Sequence, residues 1–440
     1  MKSVKLLLFS ASFVLMTQQC VAFAAGASAD YYKKGNEKAT AGDYKGAIAE
    51  YTKAIKRNPK SAKAYNNRAS VKLGTGDKIG ALADYKKAVT LDPLYAEAHY
   101  NYAIARSEAG DFTGAITSYT KALALNPKLT NIYFNRGVAK GAIGDNEGAL
   151  ADYTKAIEAN SESCDAYNNR GVTKNKLGDK EGASADLLQA VQLYFKRGLA
   201  RAGKGDNKGA VDDYTRVVKI SPKYAEAYNN RGKAKSDLGN KDGALDDFSK
   251  ALELNPSLDL AYNNRALVRV ALGDKVGALA DFSKVIEHTP ASADAYINRG
   301  IAQNTFGDFK SAESDFTKAL GINKQLVSAY LNRGNARLKL DNKQGAIVDY
   351  TSAIAIDPKN PDAFFNRGFV KSDLGDNEGA IADYTNAIAC DSNYAKAYYK
   401  RGVAKSNLGD EAGAVADMQA AAKAGLESAR LLLKKKGISW

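Results

Sequence analysis

The sequence predicts an all-α solenoid, in which about twelve copies of one helix–turn–helix unit are stacked along the chain. Three observations lead to this fold class. A pattern typified by residues 228–232 recurs, and its last position, which we call the mark, returns every 34 residues with one exception. The twelfth residue after the mark is Ala in every copy, and seven of the eight prolines share one register position. The marks are Gly35, Ala69, Ala103, Gly137, Gly171, Gly198, Gly232, Ala266, Gly300, Gly334, Gly368 and Gly402.

Each unit is predicted to contain two helices joined by a tight turn. The first helix extends from about six residues before the mark to about six after it. The seventh residue after the mark is Gly in all copies but one, where it is Asp341. Gly can adopt the left-handed conformation that closes a helix, and the Asp or Asn that follows can cap the next helix. The second helix ends near a proline such as Pro222 or Pro256.

Small residues are expected where the two helices of a unit meet. They occupy the mark and the invariant Ala row, which runs from Ala47 to Ala414. Aromatic residues flank this contact, such as Tyr228 and Phe248 in one copy and Tyr330 and Tyr350 in another. The two helices can therefore approach closely, with the rings packed on either side.

These positions resemble the tetratricopeptide repeat family, whose unit has 34 residues, two helices and the same small, aromatic and proline positions. The resemblance covers about residues 30–425. It implies a right-handed superhelical solenoid whose first helices line a concave groove, and a role in binding proteins. The sequence departs from the family at Arg231 and Lys235, where the family usually has Leu and Tyr. Charge therefore replaces part of the usual apolar contact.

Residues 1–25 differ from the repeats and are predicted to be a secretory signal peptide. Lys2 and Lys5 give a basic start, Leu6 to Met16 form an apolar run, and small residues lead to a cleavage site after Ala24. Cleavage after Ala27 is a second possibility, and an uncleaved anchor helix is the structural alternative. The expectation is an exported protein, periplasmic or secreted, with no transmembrane span after cleavage.

The charged residues are arranged in rows, although the chain has a net charge of +14. Arg precedes the mark in ten copies, and Asp lies fifteen residues after the mark in ten. The third copy lacks both, with Tyr102 and Ser118 in their places. We therefore predict that the two rows pair within each copy, as in Arg170 with Asp186.

A second basic row lies three residues after the mark, from Lys38 to Lys405, with Gln303 as the exception. The sequence shows no obvious acidic partner for it. We expect a solvated row whose side-chain stems cover the helix junction. The alternative is a basic edge that binds acidic ligands.

The strongest candidate for a binding site is a row of Asn residues two positions before the mark. A carboxamide both donates and accepts hydrogen bonds, so a row of them can bind the main chain of an extended peptide. In the resembled family, matching Asn side chains point into the concave groove. The alternative is a polar row on a solvated helix face. The nine residues are Asn67, Asn101, Asn135, Asn169, Asn230, Asn264, Asn298, Asn332 and Asn366.

One step between marks is shorter than the others, because Gly171 and Gly198 are only 27 residues apart. The missing residues correspond to the turn between repeats. We expect two blocks, residues 26–193 with five repeats and 194–425 with seven, followed by a capping helix and tail at 426–440. At the short step, either one helix continues over about Ala183–Ala202 or a cramped turn forms at Val191–Leu193.

No set of residues indicates catalysis. The two histidines, His99 and His288, are far apart in the sequence, and no metal spacing, phosphate loop or nucleophile–base set is present. We therefore expect no enzyme activity, no cofactor and no metal. The predicted function is a scaffold that binds a protein or an extended peptide. Two alternatives are a binder of anionic envelope polymer or membrane surface, and an accessory subunit of an envelope enzyme complex. Nucleic acid is not an expected partner, because the chain carries an export signal.

Overall fold

The computed structural model describes residues 26–440, and within this range the chain consists of 24 helices and no strands. The predicted signal peptide at residues 1–25 lies outside the described residues. No helix in the described range is both long enough and apolar enough to cross a membrane. The helices form two compact units.

The first unit extends to Arg197 and also includes Lys219–Ser221. Its helices alternate between the first and second positions of a repeat, and each packs against the next helix along the chain. They are α1 (26–40), α2 (Tyr44–Arg57), α3 (Ala62–Gly74), α4 (Lys78–Leu91), α5 (Ala96–Glu108), α6 (Phe112–Leu125), α7 (Asn131–Ala142), α8 (Asn146–Ala159) and α9 (Cys164–Lys176).

The next helix, α10 (Lys180–Gly203), contains the division between the units. The second unit follows the same alternation. Its helices are α11 (Asn207–Ile220), α12 (Ala225–Asp237), α13 (Lys241–Leu254), α14 (Asp259–Leu272), α15 (Lys275–His288), α16 (Ala293–Thr305), α17 (Phe309–Ile322), α18 (Val327–Lys339), α19 (Lys343–Ile356), α20 (Pro361–Asp373), α21 (Asn377–Cys390), α22 (Ala395–Asn407), α23 (Glu411–Lys423) and α24 (Glu427–Lys435).

The turn inside each repeat has the predicted chemistry. The Gly at the seventh position after the mark has a positive φ in all eleven copies that carry it, as at Gly239 with φ 84°. Asp341 adopts the same left-handed conformation, with φ 60°. The next residue caps the second helix through its side chain, as Asn240 accepts the Gly243 N–H at 3.0 Å. Each second helix therefore starts at a fixed position relative to the first.

The two helices of a repeat meet through small residues, as predicted. The Ala row from Ala47 to Ala414 is at most 5% exposed. At Gly334, a Cβ atom would lie 2.7 Å from the ring of Tyr350, which is closer than carbon atoms pack. The aromatic ring therefore fills the space that the missing side chain leaves.

The short step is resolved in favour of the continuous helix. Helix α10 has 24 residues and includes the whole stretch from Ala183 to Ala202. Neither Gly nor Pro interrupts residues 183–197, so no local signal ends the helix. The second helix of the fifth repeat and the first helix of the sixth are therefore one element.

Helix α24 lies at the end of the second unit, where the next first helix would follow. Leu433 is buried and packs with Met418 and Ala421 of α23, while Leu432 is partly buried beside them. Leu431 is 60% exposed and does not cover this end. A helix of this length presents only one narrow face to its neighbour.

Candidate functional site

The predicted pairing of Arg and Asp within a repeat is confirmed. In nine repeats the guanidinium donates two hydrogen bonds to one carboxylate, with distances of 2.6–3.0 Å. The Arg comes from the first helix and the Asp from the second, so the pair fixes their register. The pairs are Arg68–Asp84, Arg136–Asp152, Arg170–Asp186, Arg231–Asp247, Arg265–Asp281, Arg299–Asp315, Arg333–Asp349, Arg367–Asp383 and Arg401–Asp417.

The second basic row does have an acidic partner, which corrects the expectation of a solvated row. Its partner is the same Asp. Lys235 Nζ lies 2.7 Å from Asp247, whose other oxygen accepts from Arg231. The same arrangement of one Asp between two cations occurs in at least eight repeats. We call it the charge triad. Sequence reasoning missed it because each Asp was assigned only one partner.

The exceptions follow the same geometry. In the third repeat Arg106 donates to the hydroxyls of Tyr102 and Ser118, which replace the usual Arg and Asp. In the ninth repeat Gln303 replaces the second cation. Its Oε1 atom is buried without a hydrogen-bond partner among the described residues. Asp315 is therefore paired with one cation, Arg299.

Two of the triads lower the pKa of their carboxyl group. Burial alone would raise the pKa of Asp186, but hydrogen bonds from Arg170 and Lys174 outweigh it and hold that pKa below the ordinary value of 3.8. The pKa of Asp417 is lowered in the same way, by Arg401 and Lys405 against the effect of burial. These carboxylates are therefore ionised at neutral pH.

The triads account for much of the positive charge of the chain. Each has a net charge of +1, so at least eight of the fourteen excess positive charges lie between helices. The side chains of these cations are only 13–25% exposed. This part of the charge is consequently distributed through the repeats.

Each paired Arg also contacts the repeat before its own. Its Nη1 donates to a hydroxyl on the preceding second helix, as Arg231 donates to Thr215 at 3.3 Å and Arg299 to Ser283 at 2.9 Å. All nine paired Arg residues make this bond. One side chain therefore joins both helices of its own repeat to the neighbouring repeat. The sequence contained the signal, a Thr or Ser one residue after the aromatic position.

The nine Asn residues are placed at equivalent positions of nine first helices, and all are partly buried. Five of them donate a side-chain hydrogen bond to the preceding repeat, at 2.9–3.3 Å. Each of the five has an acceptor at the third residue before the preceding mark, which we call the stacking position. Asn67 also donates to Asn36, the residue after that mark, at 3.0 Å. The bonds are Asn67 to Tyr32, Asn101 to Asn66, Asn135 to Tyr100, Asn264 to Asn229 and Asn298 to Asn263.

The other four Asn residues make different contacts. Asn169 and Asn230 each accept from the Asn that precedes them, at 3.1 Å. Asn332 donates to the Ser328 carbonyl of its own helix at 2.8 Å. The Asn366 side chain makes no hydrogen bond within residues 26–440. The row is thus not uniform, which the sequence interpretation did not distinguish.

Apolar side chains lie one helical turn after several of these Asn residues. Val138, Val172, Leu267 and Ile301 follow the mark directly and are 41–52% exposed. A pocket of about 180 Å³ between α12, α13 and α14 shows the local surface, and Lys233, Asn264, Leu267 and Phe248 are among its lining residues. This surface offers amide groups beside exposed apolar side chains.

No group of three or more His, Cys, Asp or Glu residues in the described range is arranged to hold a metal ion. The first helices offer amides and apolar side chains for ligand contact, beside exposed charged groups such as Lys233.

Comparison with known proteins finds one kind of repeat along most of the chain. Family models described as "Tetratricopeptide repeat" match residues 32–93, 84–117, 130–163, 165–196, 225–258 and 263–327. A model described as "TPR repeat" matches residues 105–144, 198–239, 343–375 and 371–409.

Several solved structures are similar to the chain. MamA is 26% identical, with 38% of this chain and 91% of that chain covered and a TM-score of 0.37. Yeast Tom70 is 18% identical, with 87% and 96% covered and a TM-score of 0.39. YrrB, described as a TPR protein with an unusual peptide-binding site, is 22% identical, with 42% and 95% covered and a TM-score of 0.36.

Proposed function

Because the chain belongs to the tetratricopeptide repeat family, we propose that it is a scaffold that holds an extended peptide, or an extended segment of a partner protein, along its first helices. Repeats of this family build protein-interaction scaffolds and are typically non-catalytic. The proposal adds the form of the ligand and the surface that binds it.

The observation that supports the proposal is the row of partly buried Asn carboxamides on nine first helices. An amide can donate to a peptide C=O and accept from a peptide N–H, so it binds main chain without reading side chains. Packed helices lie about 8–10 Å apart, and an extended chain advances about 3.3 Å per residue. Neighbouring Asn residues would therefore contact peptide groups about three residues apart.

The positive charge gives little support to binding of an anionic polymer or membrane surface. Electrostatic binding of that kind needs cations gathered at the surface. Here at least eight pairs of cations share a buried Asp, and their side chains are no more than 25% exposed. The accessory-subunit alternative is compatible with the proposal, because a peptide-binding scaffold can serve within a larger complex.

We also propose that the protein acts outside the cytoplasm, as the basic, apolar and small-residue segments of residues 1–25 indicate. N-terminal sequencing of protein recovered from the producing cells tests this. A chain beginning at Ala25 or Ser28 supports export with cleavage. A chain that retains Met1 to Met16 contradicts cleavage and favours the uncleaved anchor helix.

Selection from a phage-displayed library of short random peptides tests peptide binding. The repeat region should enrich peptides over a surface without protein, and calorimetry should then give a measurable affinity. That affinity should change little with salt, because uncharged amides make the contacts. Failure to enrich any peptide, together with salt-sensitive binding to anionic lipid vesicles, would favour the charged-surface alternative.

A further inference from the structure

The five backward-donating Asn residues and the others differ in one neighbour. For each of the five, the stacking position of the preceding repeat is Asn or Tyr, which can accept a hydrogen bond. For the other four the stacking residue has no polar side-chain atom: it is Phe134 for Asn169, Phe195 for Asn230, Ile297 for Asn332 and Leu331 for Asn366. Asn169 and Asn230 differ from the last two, because their side-chain oxygens already accept from the preceding Asn. The residue at the stacking position therefore decides whether the Asn amide is used to join repeats.

We infer that peptide binding is concentrated at Asn332 and Asn366, on α18 and α20, while the five backward-donating Asn residues serve mainly to stack repeats. This inference rests on the proposed function and narrows it to one part of the row. A donor already bonded to a neighbouring side chain must break that bond before it can bind a peptide. Asn366 has no such bond, and Asn332 bonds only to a carbonyl of its own helix.

The free hydrogen-bonding groups of these two side chains match those of a peptide main chain. Asn366 has both its amide hydrogens and its carbonyl oxygen available, and Asn332 has one hydrogen and its oxygen available. Both are partly buried, so their groups are held in place by the surrounding helices. They lie on consecutive first helices, so an extended peptide can contact both, about three residues apart.

The neighbouring side chains indicate which peptides would fit. Phe369 on α20 is partly buried under the Lys400 ammonium group, which is 5.0 Å from its ring centre. It lies three positions after Asn366, on the same face of the helix. The equivalent residue after Asn332 is Asn335, whose side-chain oxygen already accepts from Tyr350. The bound segment should therefore carry apolar side chains beside main-chain groups that bond to the Asn amides.

A pair of matched double variants tests this inference, with a peptide selected from the random library as the probe. Asn332→Ala with Asn366→Ala should weaken the affinity for that peptide roughly tenfold to a hundredfold, through the loss of hydrogen bonds. Its urea midpoint should not change. Asn264→Ala with Asn298→Ala should lower the urea midpoint but leave the affinity within about threefold.

Each outcome decides between the possibilities. Equal loss of affinity in the two variants would overturn this inference, because the whole Asn row would then bind the ligand. The proposed peptide-binding function would still hold. Loss confined to the Asn264 and Asn298 variant would also overturn it. If that variant does not fold, Asn298→Ala is compared with Asn332→Ala in the same assay. If the wild-type chain selects no peptide, the proposed function itself fails.

Discussion

The charge triads predict that loss of an Arg is more harmful where the second cation is missing. In the seventh repeat, Arg231→Leu leaves Asp247 paired with Lys235 at 2.7 Å. In the ninth repeat, Arg299→Leu leaves Asp315 without a cation, because Gln303 occupies the position of the lysine. The Asp315 side chain is 3% exposed, so water cannot replace the lost partner.

The expected loss in the free energy of unfolding depends on whether each carboxylate keeps a cation. An uncompensated buried charge costs about 3–5 kcal/mol, which is the expectation for Arg299→Leu. Loss of hydrogen bonds to a carboxylate that keeps another cation costs about 1.5–3 kcal/mol, which is the expectation for Arg231→Leu. Both variants also lose a bond to a hydroxyl of the preceding repeat. That bond is common to the two and does not affect the comparison.

Native-state hydrogen exchange is the appropriate measurement, because a repeat array does not unfold in a single step. The opening free energy of amides in α16 and α17 should fall more in Arg299→Leu than that of α12 and α13 in Arg231→Leu. Adding Asp315→Leu to Arg299→Leu should recover most of the loss. Adding Asp247→Leu to Arg231→Leu should recover less, because Lys235 is then stranded. Equal losses in the two single variants would refute the reasoning.

Four further predictions concern other parts of the repeats. The buried Tyr384 hydroxyl has no partner among the described residues, so Tyr384→Phe should not lower the urea midpoint. Tyr350→Phe should lower stability by about 0.5–1.5 kcal/mol, because the Tyr350 hydroxyl donates a hydrogen bond to Asn335. The pKa of Asp186 is lowered in the folded state, so its ion pairs stabilise the fold above pH 3.8, and this contribution is lost as the pH falls through the folded-state pKa. In an acid titration followed by circular dichroism, Asp186→Asn should remove this part of the pH dependence. Asp341→Gly should raise stability by about 0.5 kcal/mol in thermal unfolding, since a left-handed conformation strains Asp more than Gly. Inserting a copy of the turn at residues 255–261 after Leu193 should change the small-angle scattering profile, and an unchanged profile would contradict the prediction of two blocks.

Much of the local structure could be predicted because each repeat carries its own signals. Gly239 and Asn240 define a turn by backbone conformation and capping alone, and the sequence therefore predicts where α12 ends and α13 begins. The Arg231–Asp247 pair could also be predicted, because both charges disappear together in the third repeat. The signals in these cases are either local or repeated often enough for their exceptions to be informative.

The contacts of Lys235 and the Asn row could not be predicted in the same way. A carboxylate has two oxygens and can accept from two cations, but the sequence gives no distance by which to choose that arrangement. Whether Asn264 or Asn332 donates to the preceding repeat depends on a residue one repeat earlier. That residue can be recognised only once the alignment of neighbouring first helices is known. Such contacts depend on packing between repeats, which periodicity alone does not specify.

The bond from each Arg to the preceding second helix gives the chain a direction. During synthesis, a new repeat finds its Thr or Ser acceptor already present, because the acceptor belongs to the repeat made before it. Trimming from the carboxyl end removes a donor and leaves an exposed hydroxyl that water can satisfy. Trimming from the amino end removes the acceptor and leaves a largely buried guanidinium short of one partner. The two ends are thus not equivalent, and the array is suited to growth from its amino terminus.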